Sequence, residues 1–468
     1  MNLSNHISPV HLISMILTLA LIMFLGVASG RRVRSNDDFQ TGGRSAGTLL
    51  VTGGLISSLV GGSSTIGSAE LSFNWGISAW WFTIGSSLGA IILGLVYSRR
   101  VREHRCTTLQ EIVAAEYGAT AGLVTSVLTS IGFLINVVSQ LLAAQALICS
   151  FLGLSHVWAI LLAALIMTSY VIFGGMKSSG VLGLVKLLLL YTATLGGGLL
   201  ALHLSGGWGQ LTQSLDHQTY FNFFSRGVGN GLSSCFSVCL GVIASQNYIQ
   251  VIFSGKDNRS AARGAFISGL LALPIGLLSI FIGMYMKLHY SGIEPGQSFP
   301  LFILSEMPPV LAGIIMAGLL IVIVSAGAGM SFGFSTVVTT DIYKRFLDKK
   351  ATDRRCLLVE RLIILAVMVF GCTLTIINQD SPILNWGFLS LALRAVVMIL
   401  PMTAALFMPG KIPPLWATLS SVLGLAAMGL GKLLGWAMEP LYLGLLASFC
   451  SIVIGWIAHR LQTKPTQR

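Results

Sequence analysis

The sequence predicts an all-α polytopic membrane protein of about thirteen transmembrane helices, and three observations carry that expectation. Of the 468 residues, 54% are hydrophobic and only 9% charged, whereas about a quarter of the residues in soluble proteins carry charge. Apolar runs of spanning length recur along the chain; at about 20 residues per span, thirteen of them use about 260 residues. The longest stretch between runs, residues 205–228, leaves no room for a large soluble domain. Finally, Lys and Arg are concentrated in alternate loops.

The first run, residues 9–30, is preceded by MNLSNHIS, which has no Lys or Arg, and followed by Arg31, Arg32 and Arg34. That flank pattern predicts a retained helix with its N-terminus outside, not a cleaved leader. Further runs follow at 47–71, 77–98, 121–153, 157–174, 180–204, 229–253, 264–286, 309–343, 356–378, 384–407, 413–435 and 439–459. With the N-terminus outside, the cytoplasmic segments at 31–44, 99–105, 177, 256–263, 344–361, 411 and 460–468 hold 23 Lys and Arg, against Arg226, Lys287 and Lys432 outside. This asymmetry orients the chain in an inner or plasma membrane, with the C-terminus in the cytoplasm, and accounts for the formal net charge of +12 without nucleic-acid binding. The seven cysteines sit mostly within apolar runs. They imply packing and no disulfide framework, and Cys235 with Cys239 lacks the His or acidic neighbours of a metal site.

Two runs are interrupted in a way an anchor does not need. Gly53-Gly54 and Gly61-Gly62-Ser63-Ser64-Thr65 crowd small and polar residues into the second run, and GVGNGLSSCFSVCLG at 227–241 does the same five spans later. Backbone that leaves the helix at membrane depth must face protein or a cavity. Broken helices at corresponding positions of two five-helix halves point to an inverted-repeat transporter with a midplane site; close packing through small residues is the alternative for either segment alone.

Six segments in order resemble the sodium/solute symporter family, which includes sodium-coupled carriers of proline, galactose and sialic acid. They are DDFQTGGRSAG, GGSSTIGSAELSFNWGISAWWF, RRVREHRCTTLQEIVAAEYG, IFGGMKSSG, QNYIQVIFSGKDNRSAARGA and SAGAGMSFGFSTVVTTDIYKRF. The resemblance implies a single transporter domain over 1–468 with the leucine-transporter-type five-plus-five inverted repeat. In it, 9–30 is an extra N-terminal helix, 47–204 and 229–407 are the two repeats, and 413–459 holds two C-terminal helices. It also implies a Na⁺ site made of carbonyls at Ser63 and Ile66 in core helix 1 and of Val322 and Ser325 in core helix 8. Ala326 departs from the Ser or Thr that many relatives carry, which leaves one ligand fewer. On its own, the Ser325 hydroxyl could equally bond back to its helix.

Core helix 5 departs further. Where relatives often carry an acidic residue, this chain reads Gly183-Leu184-Val185-Lys186. Lys186 lies roughly 9 Å into its helix by rise; it either snorkels to the interface or structurally pairs, or it stays inside as a coupling group that replaces Na⁺ or exchanges protons. Glu70, five residues past Thr65, matches a position that contacts substrate in a sugar-carrying relative. A carboxylate at membrane depth needs a partner or water, so it either engages solute or lies hydrated at the outer interface. Asn136, Ser139 and Gln140 match cavity-lining positions, although interhelical bonding explains them as well. Arg394 requires a partner or a water path, and a helix-end carbonyl serves as well as solute. Trp80 and Trp81 stand near the outer end of core helix 2, where they suit an aromatic belt.

Thr65, Glu70, Asn136 and Gln140 are thus the expected substrate-binding residues. The expected function is symport of a small organic solute with Na⁺, by alternating access. Proton coupling through Lys186 is the alternative, as is a transporter-like membrane sensor without net transport, a reading that a fused signalling domain would favour. No catalytic constellation appears, so an enzyme is not expected. The solute and the bilayer are the expected partners, with no obligate protein partner.

Overall fold

The computed structural model describes residues 8–30, 44–104 and 106–462, with side chains described except at 22–30, 172–185 and 462. Arg31, Arg32, Arg34, Arg105, Lys464, Arg468 and most of the DDFQTGGRSAG motif lie outside the described residues, and Lys177 with Gly183, Leu184 and Val185 outside the described side chains.

The described chain is helical along most of its length. The principal helices are α1 (Pro9–Gly30), α2 (Thr48–Leu59), α3 (Ser68–Trp75), α4 (Trp81–Ile92), α5 (Ala119–Leu152), α6 (His156–Tyr191), α7 (Val228–Ile243), α8 (Gln246–Ser254), α9 (Asn258–His289), α10 (Pro309–Val337), α11 (Asp353–Ile377), α12 (Ile383–Phe407), α13 (Pro414–Leu433) and α14 (Pro440–Gln462). Helices satisfy every internal backbone group within the segment, which hydrocarbon demands. Among the described residues, nine helices are long and apolar enough to cross a membrane, or ten if α7 and α8, bent by 44°, form one span. The other expected spans fall on α1, whose side chains beyond residue 21 are not described, on α2 and on the first part of α6, residues 156–171. The connection expected between 174 and 180 is helical backbone, so two expected runs join in α6.

Burial separates a central layer from a peripheral one. The apolar window of α10 is 83% buried and that of α12 78%, against 33% for α11, α13 and α14. The central helices are apolar around their whole circumference because protein surrounds them.

Close approach is set by small residues. A Cβ at Gly85 or Gly89 of α4 would lie 2.6 Å from the carbonyl of Cys235 or Cys239, and one at Gly241 would lie 2.6 Å from Leu391. The Gly- and Ser-rich run at 227–241 therefore stays helical and packs against α4 and α12. The break comes later, at Ala244 and Ser245. Cys235 and Cys239 are free and buried in this contact.

At the end expected in the cytoplasm, Arg100 donates to the Leu406 carbonyl at 2.8 Å and Arg102 to that of Ile252 at 2.7 Å. Asp257 caps α9 through the Ser260 amide, a bond that holds its carboxyl below the ordinary range. At the other end, Gly76 has φ +53°, and a Cβ there would lie 2.1 Å from the Tyr220 carbonyl, so only glycine fits the turn after α3.

Candidate functional site at the broken helix

Between α2 and α3 the chain leaves the α-helix: Val60 is extended (φ −105°, ψ 110°), and Ser63–Gly67 forms a wider π turn. Gly61 and Gly62 let this break sit directly against two central helices. A Cβ at Gly61 would lie 2.6 Å from the Ala326 Cβ of α10, and one at Gly62 would lie 2.2 Å from that of Ala143 in α5. The freed backbone finds a partner in α5, because Gln140 Oε1 accepts the Gly62 amide at 2.9 Å. Gln140 Nε2 donates to Ser63 Oγ at 3.3 Å and to Asn136 Oδ1 at 3.4 Å. Ser63 Oγ is 2.9 Å from Ser139 Oγ, which donates to the Ile383 carbonyl of α12 at 2.9 Å. Asn136, Ser139 and Gln140 thus brace the break. Thr65 is fully buried and its hydroxyl donates to the Gly61 carbonyl at 3.0 Å.

The expected ion-site residues are brought near one another only in part. Ala326 contacts the break, and the Ser325 hydroxyl donates to the Val322 carbonyl at 2.9 Å, one residue turning its oxygen toward another of the set. The Ser63 carbonyl receives Ser68 Oγ at 3.4 Å, and Ile66 is fully buried. Carbonyls and hydroxyls are the donor class a hard cation takes, and Ala326 supplies no oxygen beyond its backbone.

On the α2 side of the break lies a cavity of about 60 Å³ lined by Ser57, Ser58, Lys186, Asn247, Gln250 and Ser325, among others. Lys186 is 2% exposed; its Nζ donates to Ser57 Oγ at 3.2 Å and to the Tyr170 hydroxyl at 2.9 Å. Snorkelling is therefore not its role here. Asn247 Nδ2 and Gln250 Oε1, both buried, have no hydrogen-bond partner. The sequence singled out their QNYIQ segment only as a resemblance, and its amides at membrane depth are the signal that could have placed them in a cavity.

On the α3 side lies a second cavity of about 200 Å³, lined by Glu70, Gln145, His156, Glu294, Gln379 and Asp380, among others. Glu70 is half-buried, and its Oε2 accepts the Ile383 amide at 2.9 Å. A carboxylate at a helix N-terminus meets unsatisfied amides and the positive end of the dipole, so Glu70 caps α12 and also faces this cavity. Arg394 is fully buried: its guanidinium donates to the Ser390 carbonyl, Ser390 Oγ and Asn247 Oδ1, and stands 4.9 Å over the Phe133 ring. The Trp80 and Trp81 indoles donate to the Leu273 and Phe223 carbonyls.

The model of the sodium:solute symporter family matches residues 39–408. Sodium/proline symporter 2 of Staphylococcus saprophyticus is 24% identical over 80% of this chain and 76% of its own length. The high-affinity proline transporter PutP of Bacillus subtilis is 22% identical over 75% of this chain and 78% of its own. Among solved structures, a Na⁺-coupled sialic acid symporter superposes with a TM-score of 0.82 at 19% identity, covering 97% of this chain and 98% of that one. Mhp1, a nucleobase-cation-symport-1 family transporter, gives 0.57 at 14% identity over 92% and 96%.

Proposed function

Because this chain belongs to the sodium:solute symporter family, a family of membrane transporters and not enzymes, we propose that it carries a small organic solute by symport with Na⁺. The observation that carries this reading is the position of the break between two cavities, one on the side of Glu70 and one on the side of Lys186. A site at Gly61–Gly62, braced by Gln140 and packed on Ala326, can open to either cavity if the helices around it rock, which is alternating access. The relatives that carry proline with sodium, and the sialic acid symporter of like fold, support a cation-coupled mechanism for a small solute.

In this reading the chain crosses the membrane thirteen times, which requires the backbone to reverse between 174 and 180, where the helix α6 is now continuous, with 47–204 and 229–407 as inverted repeats. Its N-terminus is outside and its C-terminus in the cytoplasm, as the charge asymmetry favours. The Glu70 cavity then opens outward and the Lys186 cavity inward. Carbonyls of Ser63, Ile66 and Val322 with the Ser325 hydroxyl would hold Na⁺. That ion would tie the broken helix to α10 and so stabilise one arrangement of the bundle, raising solute affinity in it. Gln140, Asn136 and Thr65 lie beside the solute site, Gln140 by holding the unwound backbone in place.

One observation favours proton coupling as a second reading. Lys186 shares its cavity with Ser325, next to the proposed ion site. A fixed ammonium there would substitute electrostatically for Na⁺, and its loss and regain of a proton would replace ion release and binding.

The experiment is thermal unfolding of purified protein against proline, sugars, amines and carboxylates, in Na⁺ and in K⁺. A solute that stabilises more in Na⁺ than in K⁺ supports Na⁺ symport, because stabilisation follows mass action on the folded state. Equal stabilisation in both ions speaks against Na⁺ coupling.

A further inference from the structure

The Glu70 cavity is rich in hydrogen-bond acceptors. Glu70, Glu294 and Asp380 contribute carboxylates, and no lysine or arginine is among its lining residues. Glu294 and Asp380 are exposed at its rim, and Glu70 is half-buried behind them with Oε2 taken by the Ile383 amide. Carboxylates alone would amount to a hydrated acidic patch. What points to a ligand is Gln145, which is 5% exposed and lines the same cavity, with a side-chain carbonyl oxygen that has no hydrogen-bond partner. Its amide nitrogen is 2.6 Å from His156 Nδ1. An amide nitrogen only donates, so Nδ1 accepts and the carbonyl oxygen is left to the cavity. Gln379, from the segment before α12, also lines the cavity with an unpartnered carbonyl oxygen.

A ligand that satisfies these oxygens donates hydrogen bonds, and the carboxylates favour a positive one. A single coordinated metal ion does not fit, because among the described residues no three His, Cys, Asp or Glu side chains could hold one. Acceptors spread around about 200 Å³ suit an organic cation whose several N–H groups point in different directions.

We propose that this cavity captures the transported solute through a protonated amine, attracted by Glu294 and Asp380 and received at Gln145 and the free oxygen of Glu70. The proposal rests on the transport reading for its purpose and names the substrate class as amines, including zwitterions that carry one. Anionic solutes without an amine are disfavoured by repulsion from the rim carboxylates Glu294 and Asp380.

The test is thermal stabilisation of the purified full-length protein near neutral pH and at constant ionic strength. Ethanolamine is the probe, and ethylene glycol and glycolate are its neutral and anionic counterparts. Ethanolamine should stabilise and the other two should not, and in the rim double variant Glu294→Gln/Asp380→Asn its apparent Kd should rise about tenfold, the loss of charge-assisted bonds. Gln145→Leu should weaken it independently. Stabilisation that survives both variants overturns the proposal, as does equal stabilisation by ethylene glycol. An equal effect of Na⁺ or Mg²⁺ that vanishes in the same double variant also overturns it, by assigning the cavity to an inorganic ion. Uptake into vesicles separates this from the transport reading. Rim-dependent ethanolamine binding without uptake of any solute leaves the capture site and removes transport, whereas Na⁺-driven uptake of an amine-free solute without ethanolamine binding does the reverse.

Discussion

Gln140 Oε1 accepts the Gly62 amide at 2.9 Å, so a side chain of α5 completes the hydrogen bonding of the broken helix. A Gln140→Leu variant keeps the volume and strands that amide. An unsatisfied buried amide costs about 1–3 kcal/mol, so the unfolding midpoint in detergent should fall and uptake should be lost. An unchanged midpoint with normal uptake would show that the break needs no brace.

Ser325→Ala removes the one hydroxyl among the proposed ion ligands and should leave the protein folded, because that hydroxyl now bonds only within its own helix. The Na⁺ concentration for half-maximal uptake should rise about tenfold, equivalent to about 1.4 kcal/mol. Ala326→Ser restores the second hydroxyl beside Gly61 and should lower it. Sodium activation unaltered in both variants removes these residues from the ion site.

Glu70→Gln preserves an oxygen for the Ile383 amide while removing the charge, so α12 should stay capped. Affinity for a cationic solute should drop about tenfold and that for a neutral polyol far less, since only the former loses a charge-assisted bond. Glu70→Ala, by contrast, removes the cap and should cost about 0.5–2 kcal/mol of stability. Unaltered affinity and selectivity in Glu70→Ala would make Glu70 a cap and nothing more.

Reporter fusions at Gly209 and Lys349 should lie on opposite sides of the membrane, outside and cytoplasmic respectively, as the charge asymmetry predicts. The same side for both would break the alternation of spans.

The helical, membrane-spanning character was legible because apolar runs and a low charge content leave few other solutions. The first break was legible too, since Gly61, Gly62, Ser63, Ser64 and Thr65 have little side chain to hold a helix in lipid. The second was misplaced. Glycine serves bending and close approach alike, and the run at 227–241 uses Gly231 and Gly241 for contact with Trp81 and Leu391, while the bend falls at Ala244 and Ser245. At the site, Gln140 and Lys186 were legible as polar groups at membrane depth, but their partners were not. Glu70 meets an amide 313 positions away, and Lys186 meets Ser57 129 positions away. Such pairings are set by how helices cross, which no local pattern encodes.

Whether a Na⁺ gradient drives solute uptake is measured directly by the accumulation of labelled solute in vesicles containing the purified protein. Proline is the first solute to test, under an inward Na⁺ gradient, an inward pH gradient without Na⁺, or neither. Symport with Na⁺ predicts concentrative uptake under the Na⁺ gradient alone, persisting in Lys186→Met. Uptake driven by the pH gradient without Na⁺ and abolished in Lys186→Met would contradict it and make Lys186 the coupling group.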